Sequence, residues 1–139
     1  MRRKTNVVIV MLALVIGALV YIVLRENAYI SKIFRNNHLV TGVRVLLDSG
    51  GWYVVSCYLP DFLWGLGLTC GLMLVFEPSK LGCFYCALVG ILCGLVWETL
   101  QILQIVFGTG DILDIFMYIS AATISFFINI KGERNDEEK

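Results

Sequence analysis

The stretch Trp97-Glu98-Thr99-Leu100-Gln101-Ile102-Leu103-Gln104-Ile105-Val106-Phe107-Gly108-Thr109-Gly110-Asp111-Ile112-Leu113-Asp114 joins two long apolar segments. Its reading decides the fold. Before it, residues 81–97 carry no charge, and after it residues 115–130 carry none. Each flank suits a helix that crosses a bilayer, for which roughly 17–25 apolar residues are needed. Between them sit Glu98, Asp111 and Asp114 with the amides Gln101 and Gln104. A carboxylate at membrane depth costs a few kcal/mol on insertion scales. Folding or function must offset that cost.

The rest of the chain agrees with a bilayer as solvent. Of 139 residues, 58% are hydrophobic and 16% charged, with a mean hydropathy of +0.80. Soluble domains average about 45–50% apolar and about 25% charged. Formal net charge is zero, which argues against nucleic acid, since that partner calls for a basic face. Five cysteines, mostly within apolar runs, do not form a secreted disulfide framework.

Working outward, residues 7–24 form an uncharged run, preceded by Arg2, Arg3 and Lys4 and followed by Arg25. A signal peptide starts the same way, but this run is too long for its apolar core, and Tyr21-Ile22-Val23-Leu24 is too bulky for a cleavage site. An uncleaved first span is expected. Leu39, Val40, Val43, Leu46 and Leu47 share one side of a helical wheel, which predicts a short interfacial helix ended by Ser49-Gly50-Gly51. Trp52, Tyr53 and Tyr58 mark headgroup depth. Pro60-Asp61 is expected to open the second span, with proline in the first turn and the carboxylate at the positive end of the helix dipole. That span stops at Glu77-Pro78-Ser79-Lys80. The third span has no breaker before Gly108 and, if continuous, is about 27 residues or about 40 Å long. The fourth covers residues 112–130.

The fold class is therefore an all-α, integral membrane four-helix bundle with a short interfacial helix between spans one and two. Its parts are an N-terminal segment 1–6, a four-span domain 7–130 and a charged tail 131–139 expected to be disordered. An even number of spans puts both termini on one side. Arg2, Arg3, Lys4, Lys80, Lys131, Arg134 and Lys139 then face Arg25, Lys32, Arg35 and Arg44 across the membrane. The first set is larger, so the positive-inside rule places both termini in the cytoplasm and the acidic stretch near the outer face.

Gly82, Cys86, Gly90, Gly94 and Glu98 recur every four residues along the third span. Asp111, Asp114, Tyr118, Ala121 and Ser125 form a stripe on the fourth, and Gly67 and Gly71 repeat the small-residue spacing on the second. Such stripes let helix backbones approach closely. Gly90 and Gly94 are thus expected to accept alanine but not leucine. A hairpin turning at Thr109 would set Gln104 level with Asp114, Gln101 with Tyr118, and Glu98 near Ala121.

Glu98-x-x-Gln101, a glycine-containing turn, Asp111-x-x-Asp114 and a small-residue helix resemble the signature of the VanZ-like family over residues 58–128. These are small bacterial membrane proteins named for an accessory factor in teicoplanin resistance. The resemblance implies a multi-pass plasma-membrane protein of the cell envelope, with Glu98, Gln101, Asp111 and Asp114 as its polar positions. The chain departs from the pattern at Thr109-Gly110, where arginine is common, at Tyr118 for asparagine, at Ala121 for glycine, and at Pro60-Asp61, where a histidine opens the second span.

Several functions stay open. The acidic group is either an interhelical hydrogen-bond cluster or a site, since ionisable residues at membrane depth are functional by default. As a site, it is an outward cleft of Glu98, Gln101, Asp111, Asp114 and Asp61, with Tyr118, Gln104 and Arg44 as accessories. Its ligand would be a membrane lipid or a lipid-linked or amphiphilic envelope intermediate, with a link to glycopeptide resistance. The alternative is a small homo-oligomeric transporter or channel component that relays protons or cations through the carboxylates. A membrane enzyme with Glu98 or Asp114 as general base lacks an evident nucleophile. Cys83-Phe-Tyr-Cys86 reads as packing, with no second pair or neighbouring histidine to make a zinc site. His38 stands alone, and no cofactor fingerprint is present.

Overall fold

The computed structural model describes residues 2–24, 51–106 and 110–137. Four helices account for nearly all of them: α1 (Arg2–Leu24), α2 (Gly51–Phe76), α3 (Lys80–Ile102) and α4 (Ile112–Glu137). Each contains a stretch long and apolar enough to cross a membrane, and no strand occurs among the described residues. Polarity is inverted relative to a soluble bundle. Met11, Leu14, Leu19, Phe84, Leu92, Ile112 and Phe127 are exposed, whereas Asn6, Thr69, Glu98, Ser125 and Asn129 are buried. Burying apolar groups gains nothing where the solvent is hydrocarbon, so close packing and interhelical hydrogen bonds must hold the helices together.

α1 packs chiefly on α2, α2 on α4, and α4 on α3, with α2 and α3 also in contact. Asn6 of α1 and Asn129 of α4 exchange two hydrogen bonds, of 2.8 and 3.1 Å. Arg3 lies 3.4 Å from Glu77 at the end of α2. Both helical termini of the chain therefore lie at one end of the bundle, together with the α2–α3 turn. That turn sets Glu77 at φ 43°. Pro78 follows, and Ser79 caps α3, its Oγ accepting from the Gly82 N–H at 3.4 Å. Beside the turn, Met73, Cys83, Cys86, Ala87 and Ala122 form an apolar cluster, in which the Cys83 thiol donates to the Pro78 carbonyl at 3.7 Å.

The inward faces follow the small residues, and the fit is tighter than the spacing alone indicates. A Cβ on Gly90 would collide with Thr69 Oγ1, and one on Gly94 would run into the Tyr118 ring. Alanine at Gly94 would have to move the Tyr118 ring, which corrects the expected tolerance there, whereas at Gly90 it needs the Thr69 hydroxyl to turn aside. On α2 it is Gly65 that faces Tyr118 and Ala121, with a Cβ there 3.1 and 3.2 Å from their side chains. Gly67 packs instead on Ala13 of α1, and a Cβ on Gly71 would meet nothing within 4 Å.

Element boundaries differ from expectation at three points. α2 begins at Gly51, so Pro60 lies inside the helix rather than in its first turn. Pro60 cannot donate to the Ser56 carbonyl, a loss that membrane helices tolerate when neighbours re-satisfy the backbone. α3 stops at Ile102, not near Gly108. α4 runs on to Glu137 through the charged residues expected to be disordered, because extending an existing helix needs no new nucleus. The interfacial helix expected over residues 39–47 lies outside the described residues.

Candidate acidic site at the bundle end

The end of α3 is built by its backbone. Gln104 N–H bonds the Gln101 carbonyl at 2.9 Å, and Ile105 N–H bonds the Leu100 carbonyl at 2.9 Å. Gln104 itself is left-handed, with φ 57°. This is the Schellman arrangement with glutamine where glycine is usual. The chain then folds back, so that a Cβ on Gly110 would be 3.0 Å from the Glu98 carbonyl oxygen.

Fold-back delivers the start of α4 to Glu98. Asp111 is its N-cap: Oδ1 accepts from the Leu113 N–H at 3.1 Å, a role for which aspartate is among the preferred residues. Oδ2 of the same carboxylate accepts from the Tyr58 hydroxyl at 3.2 Å. Asp111 in turn donates its own backbone N–H to Glu98 Oε2 at 3.2 Å. Glu98, Asp111 and Asp114 thus share the positive end of α4, whose free N–H groups favour negative charge.

A second group joins from α2. Tyr118 of α4, only 2% exposed, is wedged between Gly65 and Gly94. Its hydroxyl donates to Asp61 Oδ1 at 3.0 Å, and Trp64 meets its ring edge-on with centroids 6.3 Å apart. Pro60, Asp61, Trp64, Trp97 and Tyr118 enclose a pocket of about 150 Å³. Glu98 is not among the residues that line it, though it lies within electrostatic reach of Asp61 and Tyr118. It is 1% exposed, and its Oε1 has no hydrogen-bond partner.

Of the residues singled out in the sequence, Asp61, Glu98, Asp111, Asp114 and Tyr118 come together at this end. Gln101 is half-buried and Gln104 exposed, and among the described residues neither side chain bonds a carboxylate. The anticipated helix register is also replaced: Gly94, not Gln101, lies against Tyr118, and Glu98 is level with Asp111. Arg44 lies outside the described residues. Tyr58, Trp64 and Trp97 were missed as site residues. A signal for the first existed, because Tyr58, Asp61, Gly65 and Thr69 follow a spacing of three, four and four along one face of α2.

Chemically the arrangement is an acceptor site. The small pocket is lined by the Asp61 carboxylate, the Tyr118 hydroxyl and two indoles and could receive an ammonium, hydroxyl or amide donor, with Glu98 and Asp111 bonded to each other at the same end of the bundle. No group of three His, Cys, Asp or Glu side chains among the described residues is arranged to hold a metal ion. Comparison of the chain with family models, with curated proteins and with solved structures finds no match.

Proposed function

We propose that the chain is an integral membrane protein of the bacterial cell envelope, of VanZ-like kind, whose acidic pocket binds the polar head of an amphiphile. The observation that carries the reading is Glu98. Leaving a buried carboxylate oxygen unpaired is costly, yet one oxygen of Glu98 is bonded and the other is bare. A purely structural cap would use Asp111 and leave Glu98 dispensable. A donor-bearing head that enters beside Asp61 and Tyr118 and displaces the side chains covering Glu98 would satisfy the bare oxygen. In this reading the termini are cytoplasmic and the pocket faces outward. A lipid-linked envelope intermediate is the ligand class.

The test uses the full chain in phosphatidylcholine nanodiscs with hexadecylamine, hexadecanol or hexadecanoate, and follows tryptophan fluorescence. Hexadecylamine should bind saturably and about tenfold more tightly than hexadecanoate, a difference of about 1.4 kcal/mol. Glu98→Gln keeps an acceptor for the Asp111 N–H and should abolish that preference without lowering the unfolding midpoint. Equal response to all three probes would remove the acidic pocket from ligand binding.

A relay of protons or cations by an oligomer is the second reading. It is favoured by Thr69, Ser125, Asn129 and Asn6, all buried below the acidic end. Against it, Met73, Ala121 and Ala122 fill the interior, and the two asparagines satisfy each other. Proton flux into proteoliposomes carrying a trapped pH dye, lost in Glu98→Gln, would establish it over head-group binding.

A further inference from the structure

A groove of about 420 Å³ runs between α1 and α2, within the size range of ligand clefts. Ala13, Gly17, Leu63 and Gly67 are among its lining residues, and Pro60 and Trp64 close its upper end. It is open because its walls are small: a Cβ on Gly17 would meet nothing within 4 Å. Pro60 and Trp64 also line the acidic pocket. The two spaces therefore adjoin at one proline and one indole, and the lining changes character there. On one side stand only apolar groups, and on the other stand Asp61 and the Tyr118 hydroxyl.

We propose that this groove seats one alkyl chain of the amphiphile whose head the acidic pocket receives. The inference rests on the head-group reading above and names the ligand class more closely: a single chain attached to a cationic or donor-rich head, with no bulky anionic linkage at the junction. Charge complementarity selects this occupant. A chain end alone makes no use of the anionic Asp61 that lines the adjoining pocket, and a helix of a second copy would fill the small-residue face without reaching that pocket. The groove is lined by residues about midway along α1 and α2, with Pro60 and Trp64 toward the end away from the termini. The Trp64 indole marks the boundary between tail and head, a placement that suits a ring with an apolar body and one polar N–H.

Photolabelling tests this. The full chain in phosphatidylcholine nanodiscs is exposed to hexadecylamine carrying a diazirine at mid-chain, and labelled peptides are mapped by mass spectrometry. Label should concentrate on residues 10–18 and 63–68. Gly17→Leu, which fills the groove, should cut incorporation about tenfold, the effect of roughly 1.4 kcal/mol of overpacking. Ala18→Phe serves as a second obstruction should Gly17→Leu fail to fold. The diazirine analogue of hexadecanol should label the same peptides more weakly, and Asp61→Asn should remove the difference. Label spread evenly over the exposed faces of α3 and α4 would overturn the proposal, as would full labelling of both folded obstruction variants or recovery of a cross-linked dimer. In those cases a tryptophan response that still depends on Glu98 would leave the head-group reading standing. Loss of that response with label retained in the groove would instead remove the head site and show a groove for any alkyl chain.

Discussion

Tyr118 determines how closely three helices meet. Its ring occupies the space that side chains at Gly65 and Gly94 would need, and its hydroxyl reaches Asp61. Gly94→Ala is therefore an overpacking change: the added methyl would lie 2.6 and 2.8 Å from the two Cδ atoms of the ring. Either the ring moves off Asp61 or α3 moves outward, at about 1–3 kcal/mol. Gly71→Ala has the same chemistry in open space and should be neutral, or stabilising by up to about 1 kcal/mol through helix propensity. Unfolding of both variants in mixed micelles by titrated dodecyl sulfate checks the contrast. Equal stability would mean that the Tyr118 wedge does not limit helix approach. The residue types at this site were legible in the sequence, because carboxylates stand out in an apolar run. Which glycine served which neighbour was not, since Gly65, Gly67 and Gly71 differ only in facing Tyr118, α1 and open space.

At the scale of elements, spans could be counted from hydropathy, but their ends depended on backbone geometry that composition does not encode. Glu77-Pro78-Ser79 was readable because proline and a capping serine each have a fixed positional meaning. Pro60 misled for the same reason: a start signal in soluble helices is tolerated inside a membrane span. The end of α3 was hidden because glycine, the usual left-handed stop, is absent at position 104. Gln104 takes that conformation and keeps both Schellman hydrogen bonds. A non-glycine residue there is strained by roughly 1 kcal/mol. Gln104→Gly should therefore raise stability by about that amount while leaving probe binding at Glu98 unchanged, because the Gln104 side chain is exposed. Denaturant titration beside the amine-binding assay measures both. Loss of binding in Gln104→Gly would show that the side chain takes part in the site after all.

For the whole molecule, the question is what holds α1 on the bundle. Its apolar run has no distinct polar face, so the sequence offered no way to orient it. Asn6 stands between Thr5 and the apolar run that starts at Val7, and nothing in that position marks it as an interhelical contact. The fold buries Asn6 and Asn129 almost completely and pairs their amides reciprocally, with Asn129 Nδ2 also donating to the Ser125 carbonyl at 2.8 Å. This pair joins the first and last helices at the end opposite the acidic site. It fixes α1 at one end, while the groove between α1 and α2 lies about midway along both helices. Removing one partner leaves a buried amide unsatisfied, whereas removing both restores an apolar contact. Asn129→Leu should therefore destabilise the protein by about 1–2 kcal/mol, and Asn6→Leu by a similar amount. The double variant should cost clearly less than their sum, with a coupling of about 0.6–1.7 kcal/mol, as for other interhelical hydrogen bonds in membranes. Dodecyl sulfate unfolding of the four proteins closes the cycle. Strict additivity would show that the pair does not secure α1, and that contact with α2 alone keeps the first helix in place.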